Sequence, residues 1–594
     1  MSLSTASRTP NSNAVSRSNL PCASHVDVLR RRAQQQPNDL AIAWLPQLTE
    51  VVRELSYAQL DHRARAVAAR LQAVQARGER ALLVLENDLD YVIAFYACGY
   101  AGSVAVTLHT PSQRKHLTRL AQVARDAEAR FILSTRALAE RFRARVEAVE
   151  GVPAMEWLLV DEVPDAEAEA YAPHQSASED LAFLQYTSGS TGTPRGVMVR
   201  HADLVYQGEY ITRLFDLTPQ DRALSWLPLF HDMGLVVGML QPLYGGFPLY
   251  LSNPAAFVKH PERWLRAIAE RGITLAGGPD FAYDLCCDAV ALDSLVGCDL
   301  SAWQIAFNGA EPVRARTLDR FAAKFGPLGF RPETMNPSYG LAEATLGVAT
   351  TPRGTLHARQ VGDGQALAEG RVAPPARAEL SRTIVSSGRA LPDTVVRIVD
   401  PLRGAALEAG AIGEVWVGGS GPAKGYWRQP EASQAVFAAQ LSGDEARYLR
   451  TGDLGFLDDA GNLYITGRAK DLIVVHGKNH YPSDIEQTVE AAHPALRPHF
   501  AAAFAVDRDD HEALVVVVEV RADARATLDV DAVGRDVMRR VLAEHEIPIE
   551  ELVLLRQGQI PKTTSGKVQR GQCRQNWLDD SFSIVGRVQR GGQA

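Results

Sequence analysis

Short apolar runs alternate with amphipathic stretches along the first third of the chain. Apolar residues at helical spacing predict helices at residues 25–36, 57–74 and 90–101. Short, strongly apolar runs, typical of buried strands, lie at residues 80–85, 104–107, 131–133 and 157–160. Buried strands separated by helices predict parallel sheets that helices cover on both faces, so the expected fold class is α/β.

The alternation continues after residues 162–180, an acidic stretch that we interpret as a linker because it is poor in apolar residues. Further helices are expected at 202–215 and after Met233, and further strands at 223–227, 247–251 and 395–399. Residues 351–378 differ in kind, since they are rich in Gly, Pro, Ala and Arg and show little periodicity. Loops of that length are usually functional or disordered.

The end of the chain has its own alternation, over a length sufficient for a separate domain. Strands are expected at 462–466, 471–475 and 513–518, and a helix at 530–544. We therefore expect a large domain with layered sheets and helices over residues 26–467 and a small, mobile α+β domain over 471–594. Residues 1–25 are rich in Ser, Asn and Ala and predict a disordered tail.

Composition narrows the class of protein. A chain of 594 residues is too long for one compact core, and its 46% apolar and 22% charged residues are ordinary for a globular protein. A net charge of −8 without clustered Lys or Arg argues against a nucleic-acid partner. Six cysteines without a CxxC pair favour a reducing compartment, and no apolar run reaches the roughly 18 residues of a transmembrane segment. These features predict a soluble, cytoplasmic, multidomain protein.

One loop concentrates small hydrogen-bond donors. It lies between the apolar segments 181–184 and 197–199, and it consists of Thr187, Ser188, Gly189, Ser190, Thr191 and Gly192, with Arg195 shortly after. Glycines let backbone N–H groups approach an anion closely, and hydroxyls add donors, so the loop predicts a phosphate site. It does not match the Walker pattern, because no Lys-Ser/Thr follows the last glycine. Taken alone, it could also be an ordinary surface turn.

Four further stretches carry isolated charged groups on small-residue turns or loops. They are Glu311 in 308–312, Glu343 in 339–343, Asp453 in 448–453 and Lys567 in 561–567. Taken singly, they would be capping carboxylates, a turn aspartate and a solvated lysine. In this order and at these separations, they resemble the motifs of one superfamily, the adenylate-forming enzymes.

That superfamily includes acyl-CoA synthetases, nonribosomal adenylation domains and luciferases, and the resemblance covers about residues 26–575. Within it, the chain is most similar to the fatty acyl-AMP ligases. The matching stretches are long and ordered, and they cover residues 184–192, 225–235, 277–286, 306–314 and 478–482. The resemblance implies ATP and Mg²⁺ as cofactors and a small domain that rotates about a hinge at Lys470.

The resemblance also implies where ATP binds. Residues 187–192 would hold the β- and γ-phosphates, and Arg195, where most relatives have Lys, would face the leaving pyrophosphate. Asp453 would accept hydrogen bonds from the ribose, and Arg468 would donate to the ribose or the phosphates. The adenine slot would be formed by Asn308, Gly309, Ala310, Glu311, Tyr339 and Gly340, with Tyr339 stacked on the base.

Three residues are implied in the chemistry, in which a carboxylate oxygen attacks the α-phosphorus in line and pyrophosphate leaves. Glu343 is the expected Mg²⁺ ligand, a hard carboxylate for a hard ion. His231 would lie at the mouth of an acyl tunnel, near the carboxylate. Lys567 would reach both the carboxylate and the α-phosphate, because two anionic reactants need charge neutralisation and positioning rather than a general base.

The walls of the acyl tunnel have two interpretations. Apolar side chains near the motifs either border a fatty-acyl tunnel or belong to the core. The candidates are Met233, Leu235, Met239, Phe281 and Phe307.

Residues 351–378 bear on the acyl acceptor. Fatty acyl-AMP ligases carry extra sequence here, whereas acyl-CoA synthetases pass more directly to the next strand; a tolerated surface insertion is the alternative. The resemblance implies that the insertion restrains the small domain and that the acyl group goes to the phosphopantetheine of a carrier protein. Ser581 lies in a faint match to a phosphopantetheine site, but only 13 residues follow it, so we expect a separate carrier.

The sequence therefore predicts a stand-alone fatty acyl-AMP ligase. It would activate a fatty acid with ATP and pass it to a separate acyl carrier protein of a polyketide or nonribosomal peptide synthase. A long- or medium-chain fatty acyl-CoA synthetase is the alternative. A non-catalytic lipid- or nucleotide-sensing relative is a third candidate, against which the retained Glu343, Asp453 and Lys567 argue.

Overall fold

The computed structural model describes residues 21–590, apart from 112–113, 188–193, 376, 378–380, 476–477, 509–510 and 564–565. Its strands form a six-stranded sheet, a larger sheet of 15 strands, a two-stranded ribbon and a four-stranded sheet. The first two sheets precede Lys470, and the ribbon and the last sheet follow it. The predicted α/β class is confirmed.

The six-stranded sheet is built, as predicted, from buried strands separated by helices. Neighbouring strands are parallel except for the last two, which flank the hydroxyl-rich loop. With strands numbered in chain order, its spatial order is β6 (Glu156–Leu159), β5 (Phe131–Ser134), β3 (Arg80–Leu83), β4 (Val104–Thr107), β7 (Leu181–Thr187) and β8 (Arg195–Arg200). The helices of this part are α1 (His25–Gln35), α2 (Tyr57–Ala73), α3 (Leu89–Ala101), α4 (Arg114–Asp126), α5 (Arg136–Glu147) and α6 (His201–Leu214).

The larger sheet begins as a parallel sheet with one antiparallel edge strand. Its spatial order is β2 (Arg53–Ser56), β1 (Leu40–Trp44), β10 (Leu249–Leu251), β9 (Ala223–Ser225), β11 (Leu275–Gly278), β12 (Ile305–Asn308) and β13 (Met335–Gly340). The intervening helices are a π-helix (Met233–Leu240), α7 (Gln241–Gly245), α8 (Pro254–Lys259), α9 (Pro261–Arg271), α10 (Asp280–Ala289) and α11 (Ala315–Phe325). Trp264, Trp303 and Phe321 pack edge to face in the core, at centroid distances of 5.2 and 6.1 Å.

Beyond β13 the same sheet becomes antiparallel, which the sequence analysis did not predict. The added strands, in spatial order, are β14 (Gly347–Thr350), β16 (Ser381–Ala390), β21 (Asn462–Arg468), β20 (Leu449–Leu457), β19 (Gly413–Gly419), β17 (Thr394–Asp400) and β18 (Ala405–Ala406). The helix α13 (Pro430–Phe437) lies in the same part of the chain. Tight turns with left-handed glycines, such as Gly404 and Gly461, connect neighbouring strands directly, and such short connections require antiparallel pairing.

The prediction that residues 351–378 form a loop without regular structure is wrong for part of that stretch. β15 (Arg359–Asp363) pairs antiparallel with β16, and the short helix α12 (Gly364–Ala368) follows it. Arg359 also forms a salt bridge with Asp319 of α11 at 2.6 Å. A five-residue strand with Gly, Pro and Arg around it is too short to be detected by periodicity.

The acidic stretch 162–180 is also more ordered than a linker. Residues Asp165–Ala170 form a 3-10 helix beside α2. Its carboxylates pair with arginines of that helix, Asp165 with Arg63 and Glu167 with Arg70. The acidic composition therefore reflects docking on a basic helix face.

The expected tail, residues 1–25, lies mostly outside the described residues. Where it is described, Ser24 caps α1 by accepting a hydrogen bond from the N–H of Asp27 at 3.1 Å. His25, the first helical residue, is buried. Ser24 and His25 therefore belong to the first helix and its cap, and not to a tail.

After β21, Lys470 lies in a 3-10 turn, Ala469–Asp471. The elements that follow are β22 (Ile473–Val475), β23 (Lys478–His480), α14 (Pro482–Ala492), β24 (Leu496–Arg508), β25 (His511–Val520), α15 (Val530–His545), β26 (Ile549–Leu555), α16 (Arg570–Leu578) and β27 (Ile584–Gln589). α15 is the crossover between the parallel strands β25 and β26, and these elements enclose a core of their own. Among the described residues, no helix is long and apolar enough to cross a membrane.

Gly388, in a bulge of β16, offers a test of the antiparallel part of the sheet. Its φ is +76°, and a Cβ there would lie 2.0 Å from the backbone of Thr350 in β14. We expect Gly388→Ala to lower the thermal midpoint of unfolding by several degrees, because β14 would have to move. Gly410→Ala is the control, because φ is +79° there and a Cβ would have no neighbour within 4 Å. Its free energy of unfolding should fall only by the roughly 1–2 kcal/mol that a left-handed backbone costs a residue other than glycine. Equal midpoints for the two variants, by calorimetry, would contradict the observed close approach.

Candidate functional site

The loop that carries His231 is fixed by Asn87, which follows the six-stranded sheet's β3. The Asn87 amide donates to the carbonyl oxygens of Leu227 at 3.1 Å and Ser252 at 2.6 Å. Its own oxygen accepts from the N–H of Leu229 at 2.7 Å. One side chain therefore anchors three backbone groups beside His231.

A second link joins the same loop to the hydroxyl-rich loop. Gln185 lies in β7, two residues before Thr187, and its amide donates to the carbonyl of Phe230 at 2.9 Å. Tyr91 adds a hydrogen bond from its hydroxyl to the carbonyl of Leu229 at 3.1 Å. The segment before His231 and the strand before the hydroxyl-rich loop are thus held in a fixed relation.

His231 is paired with the next residue in the chain. Asp232 Oδ1 lies 2.7 Å from His231 Nδ1 and accepts from the N–H of Met233 at 2.7 Å. Burial raises the pKa of Asp232, but the imidazole and the Met233 N–H outweigh it, so the pKa is lowered overall. Asp232 is therefore an anion that orients His231.

The helix that follows Asp232 has π geometry over Met233–Leu240. Two glycines explain the close packing of this helix. A Cβ on Gly234 would lie 2.1 Å from the carbonyl oxygen of Pro228, and one on Gly238 would lie 2.5 Å from Ser225 Oγ. Single π turns are frequent at functional sites, and here the element directly follows a predicted site residue.

The turn after β12 is shaped by backbone constraints. Ala310 has a φ of +68°, in the left-handed region, and a Cβ on Gly309 would lie 2.8 Å from the carbonyl oxygen of Ser338. The Asn308 amide donates to Asp280 Oδ1 at 3.0 Å. The turn is therefore fixed against both β13 and the start of α10.

Glu311 ends this turn and reaches α10. Its Oε1 accepts from the N–H of Phe281 at 2.7 Å. Burial and the charge of Glu311 raise the pKa of Asp280 to about 6. The Phe281 ring in turn faces the loop that carries Lys567, since a Cβ on Gly566 would lie 2.9 Å from it.

Tyr339, Asp453 and Arg468 form one hydrogen-bonded group. The Tyr339 hydroxyl donates to Asp453 Oδ2 at 2.7 Å, and Arg468 Nε donates to Asp453 Oδ1 at 2.7 Å. Asp453 and Arg468 face each other in the register of β20 and β21. Burial and Asp453 raise the pKa of Tyr339, so its hydroxyl stays the donor. A carboxylate has about four lone-pair sites, so Asp453 keeps acceptor capacity for further donors.

Glu343 and Arg195 both contact Tyr426, a residue that the sequence did not predict for the site. Glu343 lies in a 3-10 turn after β13, and its Oε1 accepts from the Tyr426 hydroxyl at 2.9 Å. Burial raises the pKa of Glu343. The guanidinium carbon of Arg195 lies 5.3 Å from the centroid of the Tyr426 ring.

Lys567 enters the site from the small domain. The loop around it is closed by hydrogen bonds from Thr563 N–H to the Lys567 carbonyl at 2.7 Å and from Lys567 N–H to Thr563 Oγ1 at 3.0 Å. Burial lowers the pKa of Lys567, as does Arg468, whereas the negative charges of Asp453, Asp232 and Glu311 raise it; overall it is lowered. The ammonium group is therefore within electrostatic range of charged groups from the His231, Glu311 and Asp453 segments.

Several contacts seat the small domain against the large one. They are His499 Nε2 to Asp284 Oδ2 at 2.6 Å, Arg314 Nη1 to Glu490 Oε2 at 3.3 Å, and Arg382 Nη2 to the Glu544 carbonyl at 3.1 Å. Burial lowers the pKa of Lys470, and Arg468 and Arg195 lower it further, while Asp471 and Asp453 raise it. The turn that contains Lys470 thus also lies near the site.

Most of the predicted site residues lie in one connected region. Contacts or charges link Arg195, His231, Glu311, Tyr339, Glu343, Asp453, Arg468, Lys470 and Lys567, and Asn308, Gly309, Ala310 and Gly340 lie on the backbone beside them. Ser188, Gly189, Ser190, Thr191 and Gly192 lie outside the described residues. In the part of the chain that is described, no group of three or more His, Cys, Asp or Glu forms a metal cluster.

The candidate tunnel residues divide into two groups. Leu235 and Met239 are fully buried in the main core, and Met233 and Phe307 are nearly so. Phe281 is partly buried and lies next to the Lys567 loop. Phe281 reaches the site through its side chain, whereas Met233 and Leu235 reach it through their backbone N–H groups, which donate to Asp232 Oδ1 and to the His231 carbonyl.

Sequence reasoning missed four residues of the site: Asn87, Gln185, Asp232 and Tyr426. Gln185 and Asp232 stand beside residues that were selected, so their positions in the motifs were the available signal. Asn87 and Tyr426 are distant in sequence from the groups they hold, and no local pattern marks them.

Two family models match the chain. A model described as AMP-binding enzyme matches residues 29–427, and a model described as the AMP domain of Disco-interacting protein 2-like proteins matches residues 470–587. The second match begins at Lys470, and residues 428–469 lie between the two matches.

Similar proteins extend along nearly the whole chain. The medium-chain-fatty-acid–[acyl-carrier-protein] ligase JamA of Moorena producens is 39% identical, over 94% of this chain and 95% of its own. The long-chain-fatty-acid–AMP ligase FadD32 of Mycolicibacterium smegmatis is 36% identical, over 93% and 94%. The structure of a fatty acyl-adenylate ligase from Legionella pneumophila, in complex with acyl adenylate and pyrophosphate, is similar with a TM-score of 0.74 and 35% identity, over 96% of this chain and 98% of its own.

The anchoring role of Asn87 can be tested by hydrogen exchange. Asn87→Leu removes three hydrogen bonds and leaves buried backbone groups unpaired, at a cost of about 1–3 kcal/mol for each. We expect faster amide exchange in residues 226–232 and a lower thermal midpoint. Gln72→Leu is the control, because Gln72 makes a similar two-bond clamp on the exposed Ala172. Unchanged exchange in 226–232 for Asn87→Leu would contradict the anchoring role.

Proposed function

Because the chain belongs to the AMP-binding enzymes and, within them, to the fatty acyl-AMP ligases, we propose that it activates a fatty acid with ATP. The products are an acyl-adenylate and pyrophosphate, and the acyl group then passes to the phosphopantetheine of a separate acyl carrier protein. The observation that carries this proposal is the position of Lys567, on which the negative charges of Asp453, Asp232 and Glu311 act. A cation from the small domain stands there where two anionic reactants would meet.

The groups around the nucleotide are assigned as follows from their chemistry. Asp453 holds the ribose hydroxyls with its remaining lone pairs, and Arg468 adds a donor at the mouth of the site, where its side chain is 45% exposed. Residues 187–192 hold the β- and γ-phosphates, and Arg195 faces the pyrophosphate. The adenine lies against Asn308, Gly309, Ala310, Glu311, Tyr339 and Gly340.

Mg²⁺ supplies charge neutralisation for the triphosphate when it is bound. Glu343 is the residue that we assign to it, because a carboxylate oxygen is the ligand that Mg²⁺ prefers. Mg²⁺ is usually held by one or two carboxylates together with substrate phosphates. The donor fits, since the carboxylate of Glu343 lies beside Tyr426 and Arg195 and has lone pairs beyond the one that accepts from the Tyr426 hydroxyl.

The reaction itself moves no proton. A carboxylate oxygen of the fatty acid forms a bond to the α-phosphorus, and the bond from that phosphorus to the bridging oxygen breaks, with its electron pair leaving on pyrophosphate. Lys567 reduces the repulsion between the two anions, which is electrostatic stabilisation by a positioned charge. Asp453, Asp232 and Glu311 oppose the lowering of its pKa by burial and so favour its charged form. His231, oriented by Asp232, lies beside the entering carboxylate.

The proposed acceptor is a carrier protein. The relative from Moorena producens is named a ligase to acyl carrier protein. Within residues 351–378, α12 lies next to β23 of the small domain, and just after this stretch Arg382 of β16 contacts α15. These contacts support the proposal that the insertion restrains the small domain and makes coenzyme A a poor acceptor. The small domain, residues 471–594, would then turn about Lys470 only for a carrier.

An acceptor comparison tests this function. The enzyme is incubated with ATP, Mg²⁺ and a medium-chain fatty acid, and then with coenzyme A, with a phosphopantetheinylated carrier protein, or with the same carrier lacking its phosphopantetheine. We expect acyl-AMP without an acceptor, acyl-carrier with the modified carrier, and background levels of product with the other two, measured by mass spectrometry. Efficient formation of acyl-CoA would make the chain an acyl-CoA synthetase, and absence of acyl-AMP would overturn the proposal as a whole.

A further inference from the structure

One buried tyrosine, Tyr426, contacts both Glu343 and Arg195, the charged groups proposed to bind Mg²⁺ and to face pyrophosphate. Tyr426 is 4% exposed. Its hydroxyl donates to Glu343 Oε1 at 2.9 Å, and its ring faces the guanidinium of Arg195, whose central carbon lies 5.3 Å from the ring centroid.

The backbone around Tyr426 is fixed to the element that carries Glu343. The N–H of Ala423 donates to the carbonyl of Glu343 at 2.9 Å. The N–H of Tyr426 itself donates to Ser433 Oγ at 2.9 Å, and its ring packs edge-on against Phe437, at 5.1 Å between centroids. The position of the hydroxyl relative to Glu343 is therefore set by backbone as well as by side chains.

The same segment is also fixed to the strand that begins with Arg195. The N–H of Met198 donates to the carbonyl of Gly425 at 2.8 Å, and the N–H of Trp427 donates to the carbonyl of Gly196 at 2.7 Å. Tyr426 thus pairs with Val197 as an isolated β-bridge beside β8. A displacement of Glu343 relative to Arg195 would have to break these hydrogen bonds.

The hydroxyl of Tyr426 acts as a donor. A phenol carries its proton at neutral pH, whereas an ionised carboxylate can only accept, and the 2.9 Å contact joins these two groups. The proton therefore stays on the tyrosine, and the carboxylate of Glu343 stays an acceptor. One oxygen of Glu343 is thereby held in a fixed direction.

The ring of Tyr426 also gives a physical reason for an arginine at position 195. A planar guanidinium stacks on an aromatic face and keeps donors free at its edge, whereas an ammonium is a compact, strongly hydrated point charge. Stacking on Tyr426 would restrict the long side chain of Arg195 before any phosphate arrives. The orientation of Arg195 then depends on this tyrosine.

We propose that Tyr426 is a positioning residue that holds the metal-binding carboxylate of Glu343 and the pyrophosphate-facing cation of Arg195 in a fixed relation to each other. The proposal rests on the function proposed above. Hydrogen bonds to a metal-ligating carboxylate orient the ligand and influence metal affinity. Tyr426 would act through Glu343 and Arg195 and would not itself touch the reacting atoms.

Two substitutions separate the hydroxyl from the ring. Tyr426→Phe keeps the ring, its contact with Arg195 and its packing on Phe437, and removes the hydroxyl, which interacts with both Glu343 and Arg195. Tyr426→Leu removes the ring as well. Tyr448→Phe is the matched control, because its hydroxyl bonds to Asp444 at 2.7 Å, outside the site.

Metal binding is measured with Mn²⁺ by electron paramagnetic resonance, in the presence of a non-hydrolysable ATP analogue. For Tyr426→Phe we expect Mn²⁺ to bind about tenfold more weakly, within the range typical for loss of a hydrogen bond to a metal ligand. The KM for pyrophosphate in ATP–pyrophosphate exchange should rise only slightly, because the ring still faces Arg195. For Tyr426→Leu, and for Arg195→Lys if the leucine variant does not fold, that KM should rise further. Tyr448→Phe should match the wild type in both measurements.

Wild-type Mn²⁺ affinity in Tyr426→Phe would reduce Tyr426 to a packing residue and overturn the proposal. An unchanged KM for pyrophosphate in Tyr426→Leu would overturn the part of the proposal that concerns Arg195. If Tyr426→Leu does not fold, an unchanged KM in Arg195→Lys would do the same. Failure of the wild-type enzyme to form acyl-AMP would instead overturn the proposed function. That failure is distinguishable, because the Mn²⁺–nucleotide measurement needs no fatty acid and no turnover.

Discussion

Lys567 carries a positive charge from the small domain into a site whose carboxylates, Asp453, Asp232 and Glu311, belong to the large domain. Removing an ammonium group from water costs several kcal/mol unless nearby charges compensate. The three carboxylates offset part of that cost, and contacts such as His499 to Asp284 hold the two domains together. The same carboxylates favour the charged form of Lys567, which the proposed reaction needs between two anions.

Strand register, turns and long-range hydrogen bonds bring these charged groups together. β20 and β21 bring Asp453 and Arg468 together through their register, and β13 leads from Tyr339 directly to the turn of Glu343. The loop of His231 has no regular structure of its own and is held from outside by Asn87 and Gln185. The site therefore depends on long-range hydrogen bonds wherever the strands end.

The sequence predicts the alternating strands and helices of the six-stranded sheet well, because α2, α3 and the neighbouring strands have clear periodicity and short connections. It predicts the antiparallel sheet and β15 poorly, since those strands are short and paired with partners distant in sequence. The charged motif residues could be selected because each stands on a small-residue turn and because their order resembles that of a known family. Asn87 and Tyr426 could not be selected, because a hydrogen bond or a stacked ring across the fold leaves no mark on the neighbouring residues.

The role of Lys567 is most directly tested by single-turnover formation of acyl-AMP in the wild type and in Lys567→Ala. If the lysine neutralises the meeting anions, the variant should bind ATP as the wild type does but form acyl-AMP about 10²–10³-fold more slowly, the loss typical of one positioned electrostatic group. A wild-type rate of acyl-AMP formation in Lys567→Ala would contradict the role assigned to this residue.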